Sequence, residues 1–101
     1  MTPEKRVQNS IMEYFKHLEK NGYPIFYERR QAGGYSYKKG IPDLYVVLNG
    51  IHVEIEVKKP GGKLSTMQEK FRDMCDTKNI LWICAESVEE VQEFVNRLFT
   101  I

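Results

Sequence analysis

A chain of 101 residues suffices for one compact domain spanning residues 1–101 and is too short for two. Its 42% hydrophobic and 29% charged residues are an ordinary globular balance, and no apolar run approaches the roughly 20 residues that a membrane span needs, so no membrane partner is expected. The net charge of +1 is low for a passive backbone binder, although 14 acidic residues leave room for a local basic patch, and Met1-Thr2-Pro3-Glu4-Lys5-Arg6 leads into charge instead of an apolar signal core, which predicts a cytoplasmic location.

In chain order, Thr2 suits an N-cap and Pro3 the first helical position, so a helix is predicted over 3–21. Val7, Ile11, Tyr14, Phe15 and Leu18 form its apolar stripe, and Asn21-Gly22 stops it. Residues 25–31 alternate weakly and read as a strand. Residues 32–40 read as a loop in which Gly33, Gly34 and Gly40 surround Tyr35, Tyr37, Lys38 and Lys39. Two clear strands follow, 43–48 and 51–58, joined by Asn49-Gly50, a strong hairpin signal, and Pro60-Gly61-Gly62 ends the second.

Ser65 followed by Gln68 marks a capping box for a helix over 66–78, with Met67, Phe71, Met74 and Cys75 as its buried face. The unbroken apolar run 80–85, including Trp82, suits a strand covered on both faces. Ser87 and Glu90 cap a last helix whose core stripe is Val88, Val91, Phe94, Val95 and Leu98. Cys75 and Cys84 have apolar neighbours and no zinc spacing, so both read as reduced core thiols. The order α-β-β-β-α-β-α predicts an α/β fold with helices packed on a mixed sheet.

The hairpin fixes a register. If Asn49 and Gly50 are the turn, Leu48 faces Ile51, Val46 faces Val53 and Leu44 faces Ile55, which makes one apolar face. Asp43 then lies opposite Glu56 on the other face, with Cβ atoms about 4.5–5.5 Å apart. Opposed carboxylates repel, and a hard cation such as Mg²⁺ between them reverses the sign. Lys58, two residues beyond Glu56, emerges on the same face, where it can orient or deprotonate a water or steady charge on a phosphate. Glu-x-Lys alone is common on solvated strands; Asp43 set opposite Glu56 by an independent turn signal is not.

Gly40-Ile41-Pro42-Asp43 followed by Glu56-Val57-Lys58 resembles the PD-(D/E)-x-K nuclease signature. The longer set, Gly40 to Leu44, then Glu56 to Ser65, then Gln68, resembles the virus-type replication-repair nuclease domain, VRR-NUC, over nearly the whole chain. The resemblance implies a restriction-endonuclease-like core and Mg²⁺- or Mn²⁺-dependent phosphodiester hydrolysis. It implies that Asp43, Glu56 and the Val57 carbonyl hold metal and that Lys58 assists the water. It also implies a stand-alone, phage-type member similar to homodimeric Holliday-junction resolvases, acting in the host cytoplasm if phage-encoded. Larger members that cut flaps carry additional DNA-binding domains.

Other residues carry two readings each. Glu4 matches the acidic residue of the family's first helix, with Gln8 one turn on, yet a first-turn acid also complements the helix dipole. Glu13 is a weaker alternative. Gln68 matches a family glutamine and equally a capping box. Glu54 shares the face of Glu56, opposite Tyr45, and is expected to be solvated. His17 and His52 read as surface residues. Residues 29–39 are the nucleic-acid candidate: Arg29, Arg30, Lys38 and Lys39 for phosphates, Tyr35 and Tyr37 for stacking on unpaired bases, with Lys59 and Lys63 extending the surface.

The expected activity is a structure-specific DNA endonuclease acting on four-way junctions as a homodimer. A flap, restriction-type or RNA-directed nuclease with the same core is an alternative. A non-catalytic binder is another, but a binder has no reason to oppose two carboxylates.

Overall fold

The computed structural model describes residues 1–30 and 40–99. Helix α1 runs Pro3–Lys20: the Thr2 hydroxyl accepts the Lys5 N–H at 3.1 Å, and Pro3 occupies the first turn, where no N–H is needed. Its buried stripe is Ile11, Phe15 and Leu18, at helical spacing. The remaining elements are β1 Ile25–Arg29, β2 Leu44–Leu48, β3 Ile51–Val57, α2 Thr66–Thr77, β4 Leu81–Ala85 and α3 Val88–Phe99. This is the expected order, α-β-β-β-α-β-α.

The four strands form one sheet in the order β1-β2-β3-β4. The first three are antiparallel and β4 runs parallel to β3. Asn49 and Gly50 both have positive φ, 52° and 80°, as a type I′ turn demands. The turn fixes Leu48↔Ile51, Val46↔Val53 and Leu44↔Ile55, the register expected from sequence. Leu44, Val46, Leu48, Val53, Ile55 and Val57 are buried together with Ile11, Phe15 and Leu18 of α1 and Val91 and Val95 of α3. Every alternate residue of β2 and β3 therefore points away from this layer.

Four expectations about the elements are corrected. The first strand stops at Arg29. Strand β4 is not covered on both faces: Leu81 is 37% exposed, and Trp82, Ile83 and Cys84 are only half-buried. The cause is position, since β4 is an edge strand whose only neighbour among the described residues is β3. On the predicted buried face of α2 only Cys75 is fully buried, while Phe71 and Met74 are half-buried and Met67 is exposed. Leu98 of α3 is likewise exposed.

The Ser65–Gln68 capping box is complete. At α3 the Ser87 hydroxyl accepts the Glu90 N–H at 3.3 Å, but the Glu90 carboxylate accepts the Glu86 N–H instead of that of Ser87. Among the described residues no helix is long and apolar enough to cross a membrane.

Candidate metal centre

Asp43 precedes the first residue of β2, and Glu56 is the penultimate residue of β3. Asp43 Oδ2 accepts the Val57 N–H at 3.1 Å, which fastens the start of one strand to the end of the next. Glu4, in the first turn of α1, completes the group. Carboxylate oxygens of Glu4, Asp43 and Glu56 all lie within 4.8 Å of one another. Three sequence-distant elements thus deliver three carboxyl groups to one point.

Glu56 is 1% exposed. Burial first, and then a hydrogen bond to Asp43 and the charge of Asp43, push its carboxyl up to about 9; Lys58 pulls it down and Glu4 adds to the rise. A carboxyl held that high favours its protonated form at neutral pH when no counter-charge is near. Its oxygen Oε1 is buried without a hydrogen-bond partner among the described residues. An orphaned buried carboxylate oxygen costs free energy unless something meets it. Among the described residues the donor set is entirely carboxylate oxygen, with no His or Cys in the cluster, so it fits a hard divalent cation such as Mg²⁺ or Mn²⁺ and not a structural zinc.

Lys58 follows β3, half-buried, with its N–H donated to Ala85 O at 2.9 Å. Its charge acts on Glu56, so it stands in the field of the cluster. Val57 is fully buried between them. Gln8 is half-buried one helical turn beyond Glu4. The Gln68 side chain accepts the Ser65 N–H at 2.8 Å, the capping role. Gly40 holds φ +83°, and a Cβ there would lie 2.3 Å from Met67 O, so the turn before Pro42-Asp43 seats directly on the first turn of α2. Lys59 and Lys63 are exposed. Tyr35, Tyr37, Lys38 and Lys39 lie outside the described residues.

Glu54 departs from expectation. It is 4% exposed, not solvated. Arg30 grips it with two nitrogens, Nη1 to Oε1 at 2.5 Å and Nη2 to Oε2 at 2.9 Å, and His52 Nε2 lies 2.6 Å from Oε2. The signal available was the alternation that puts Glu54 on the face of Glu56 and opposite Tyr45. Arg30 itself is therefore committed to an internal ion pair and is not a free phosphate contact. Arg29 points to the opposite face, where Nη2 donates to Asn9 Oδ1 of α1 at 2.7 Å. The two arginines do not form one basic surface. A groove of about 620 Å³ lined by Tyr14, His17 and Asn96 lies further along α1 than Glu4 and holds none of these groups.

The model of the VRR-NUC domain matches residues 2–89. The chain belongs to the VRR-NUC family. A solved structure described as a VRR_NUC domain superposes with a TM-score of 0.79, covering 98% of this chain and 100% of that one. At 23% identity that likeness concerns the fold alone. No curated protein sequence matches significantly. The VRR-NUC domain is a nuclease fold, so the substrate is a nucleic acid. The acidic cluster of this VRR-NUC chain has the composition that divalent metals favour.

Proposed function

We propose that the chain is a single-domain, metal-dependent endodeoxyribonuclease that hydrolyses phosphodiester bonds in branched DNA. The observation that carries this reading is the convergence of Glu4, Asp43 and Glu56 around an orphaned buried carboxylate oxygen, within the field of Lys58. Asp43 and Glu56 would hold Mg²⁺ or Mn²⁺, with Glu4 and the Val57 carbonyl as further ligands. The ion, when bound, supplies positive charge that polarises the scissile phosphate and its attacking water.

The chain's own residues do the rest. Glu56 would release its proton to solvent on taking up the role of a metal ligand. Lys58 steers the water and steadies negative charge on the phosphoryl oxygens. In the hydrolysis the water oxygen bonds to phosphorus as the bond to the leaving sugar oxygen breaks. One water proton passes to solvent and the leaving oxygen is protonated in turn. Lys59 and Lys63, with the basic residues of segment 31–39, bind flanking phosphates.

One chain carries one Asp43–Glu56–Lys58 set, which serves one phosphate at a time. Resolving a four-way junction takes two cuts on symmetry-related strands, and a two-fold homodimer supplies two sites at fixed separation. The working unit is thus a homodimer, acting in the cytoplasm, the host's if the gene is phage-borne.

The test uses four-way junction, flap, duplex and single-stranded DNA with Mg²⁺, Mn²⁺ or EDTA. Paired junction cuts with metal, none in EDTA and none with Asp43→Asn are expected. Cutting that persists in excess EDTA overturns the metal reading, and preference for another substrate overturns the junction. Light scattering and mixed dimers holding one Lys58→Ala subunit test the assembly; a monomer that makes paired cuts normally sinks it.

A further inference from the structure

Asp43 and Glu56 lie one step beyond the last regular pair of the β2–β3 ladder, Leu44↔Ile55. Ladder hydrogen bonds alone therefore do not set the spacing of the two carboxylates. The Asp43 carboxylate ties the two strand ends together at one point, accepting the Val57 N–H at 3.1 Å. A second tie comes from outside the hairpin.

We propose that Arg30 is a positioning residue, which sets the separation of Asp43 and Glu56 by clamping the Pro42 carbonyl and the Glu54 carboxylate with one guanidinium. The inference rests on the metal-nuclease reading above. Among the described residues Arg30 makes four polar contacts, and all of them converge on the two metal-bearing segments. Its backbone N–H donates to Asp43 O at 2.8 Å. Its Nη1 donates to Pro42 O, the residue before Asp43, at 3.0 Å. Its Nη1 and Nη2 donate to the two oxygens of Glu54, which is two residues before Glu56 on the same face of β3. Arg30 directly follows β1, which pairs with β2 and not with β3, so the guanidinium reaches across β2 to make the bridge. The Tyr45 ring lies beneath it, 4.8 Å from the guanidinium carbon, and Tyr45 is itself anchored through its hydroxyl to Glu28 at 2.7 Å.

The chemistry suits a rigid spacer. A guanidinium is planar, with its donors in a fixed fork, so a bidentate carboxylate and a carbonyl on one group leave little angular freedom. A buried ion pair is weak as a source of stability, because desolvation offsets attraction; its best use is geometric. Glu54 and Glu56 make the contrast plain. Both are buried on the same face of the same strand, but both oxygens of Glu54 have partners, whereas Oε1 of Glu56 has none. Glu54 is thus the anchor and Glu56 the ligand. Nor is Arg30 placed to meet a phosphate, since three of its five donors are already engaged.

The test separates positioning from phosphate binding. Two variants are compared with wild type: Arg30→Lys, which keeps the charge and loses the fork, and Arg30→Met combined with Glu54→Gln, which removes the pair without leaving a buried charge alone. Circular dichroism confirms folding. Mn²⁺ affinity is measured on DNA-free protein by calorimetry, and DNA affinity is measured in EDTA across a salt series. Both variants are expected to bind Mn²⁺ more weakly by about 10–100-fold, the usual cost of losing a group that orients a ligand. DNA affinity without metal, and its salt slope, are expected to match wild type. Wild-type Mn²⁺ affinity in either folded variant overturns the proposal. So does a salt slope lower by about one unit, which marks a lost phosphate contact. If wild type itself fails to bind Mn²⁺, the metal reading falls, and this inference with it.

Discussion

Replacing Glu56 by Gln in the metal-free protein isolates the strain in the carboxylate pair. Glu56 is 1% exposed, and its carboxyl, ordinarily near 4.5, is pushed up to about 9 by burial and by Asp43. Between those values the folded protein keeps a proton that the unfolded chain has released. The unfolded state then binds fewer protons, so stability falls as pH rises. Each unit costs about 1.4 kcal/mol, so this one group removes about 4 kcal/mol between about pH 5 and about pH 8. Gln does not titrate and keeps a donor for Asp43. The stability of Glu56→Gln minus that of wild type should therefore grow by up to about 4 kcal/mol over this range, while titrations common to both proteins cancel. The assay is urea unfolding in EDTA at several pH values, followed by Trp82 fluorescence. Adding Mg²⁺ at about 100 times its dissociation constant should stabilise wild type by about 2.7 kcal/mol and leave the variant unmoved. A stability difference that is flat with pH would refute the claim that burial and Asp43 hold a proton on Glu56.

Lys58→Ala should lower single-turnover cleavage by about 100-fold or more while leaving substrate affinity near wild type, because Lys58 acts on the developing charge; normal cleavage with weak binding would make it a phosphate contact. Replacing Lys59 and Lys63 together by Ala should lower the log–log salt slope of DNA binding by about two units if each meets one phosphate, and an unchanged slope places the backbone elsewhere. Gly40→Ala should destabilise by more than the usual left-handed cost of about 1–2 kcal/mol, because its Cβ would press on Met67 O. Calorimetry reads that loss, and a neutral result would show that α2 shifts freely.

The sequence made the hairpin legible because its signals are local. Asn49-Gly50 dictates the turn, alternation dictates the face, and together they oppose Asp43 to Glu56 before any tertiary contact is known. Thr2, Ser65 and Gln68 were readable for the same reason, since caps act within one turn. The Arg30–Glu54 pair was not legible. No short turn fixes how β1 pairs with β2, so nothing local shows that Arg30 reaches β3 across Tyr45. Burial also misled at the margins. An apolar run such as residues 80–85 reads as central, but the strand order makes β4 an edge, and a 12-residue α2 leaves Met67 exposed. That Glu4 meets Asp43 and Glu56 depends on how α1 docks, which periodicity does not specify.

The two-residue turn also governs which insertions and deletions this gene can survive. Strand faces repeat every second residue, so losing one residue between Ile51 and Glu56 exchanges them. Glu56 would then enter the layer of Ile11, Phe15 and Val91, and an aliphatic side chain would take its place opposite Asp43. Losing two residues restores the faces but moves the carboxylate about 7 Å along the strand, away from its partner. The length changes that the site tolerates are therefore those at the exposed turn Asn49-Gly50, where added residues extend into solvent and leave the strands in register.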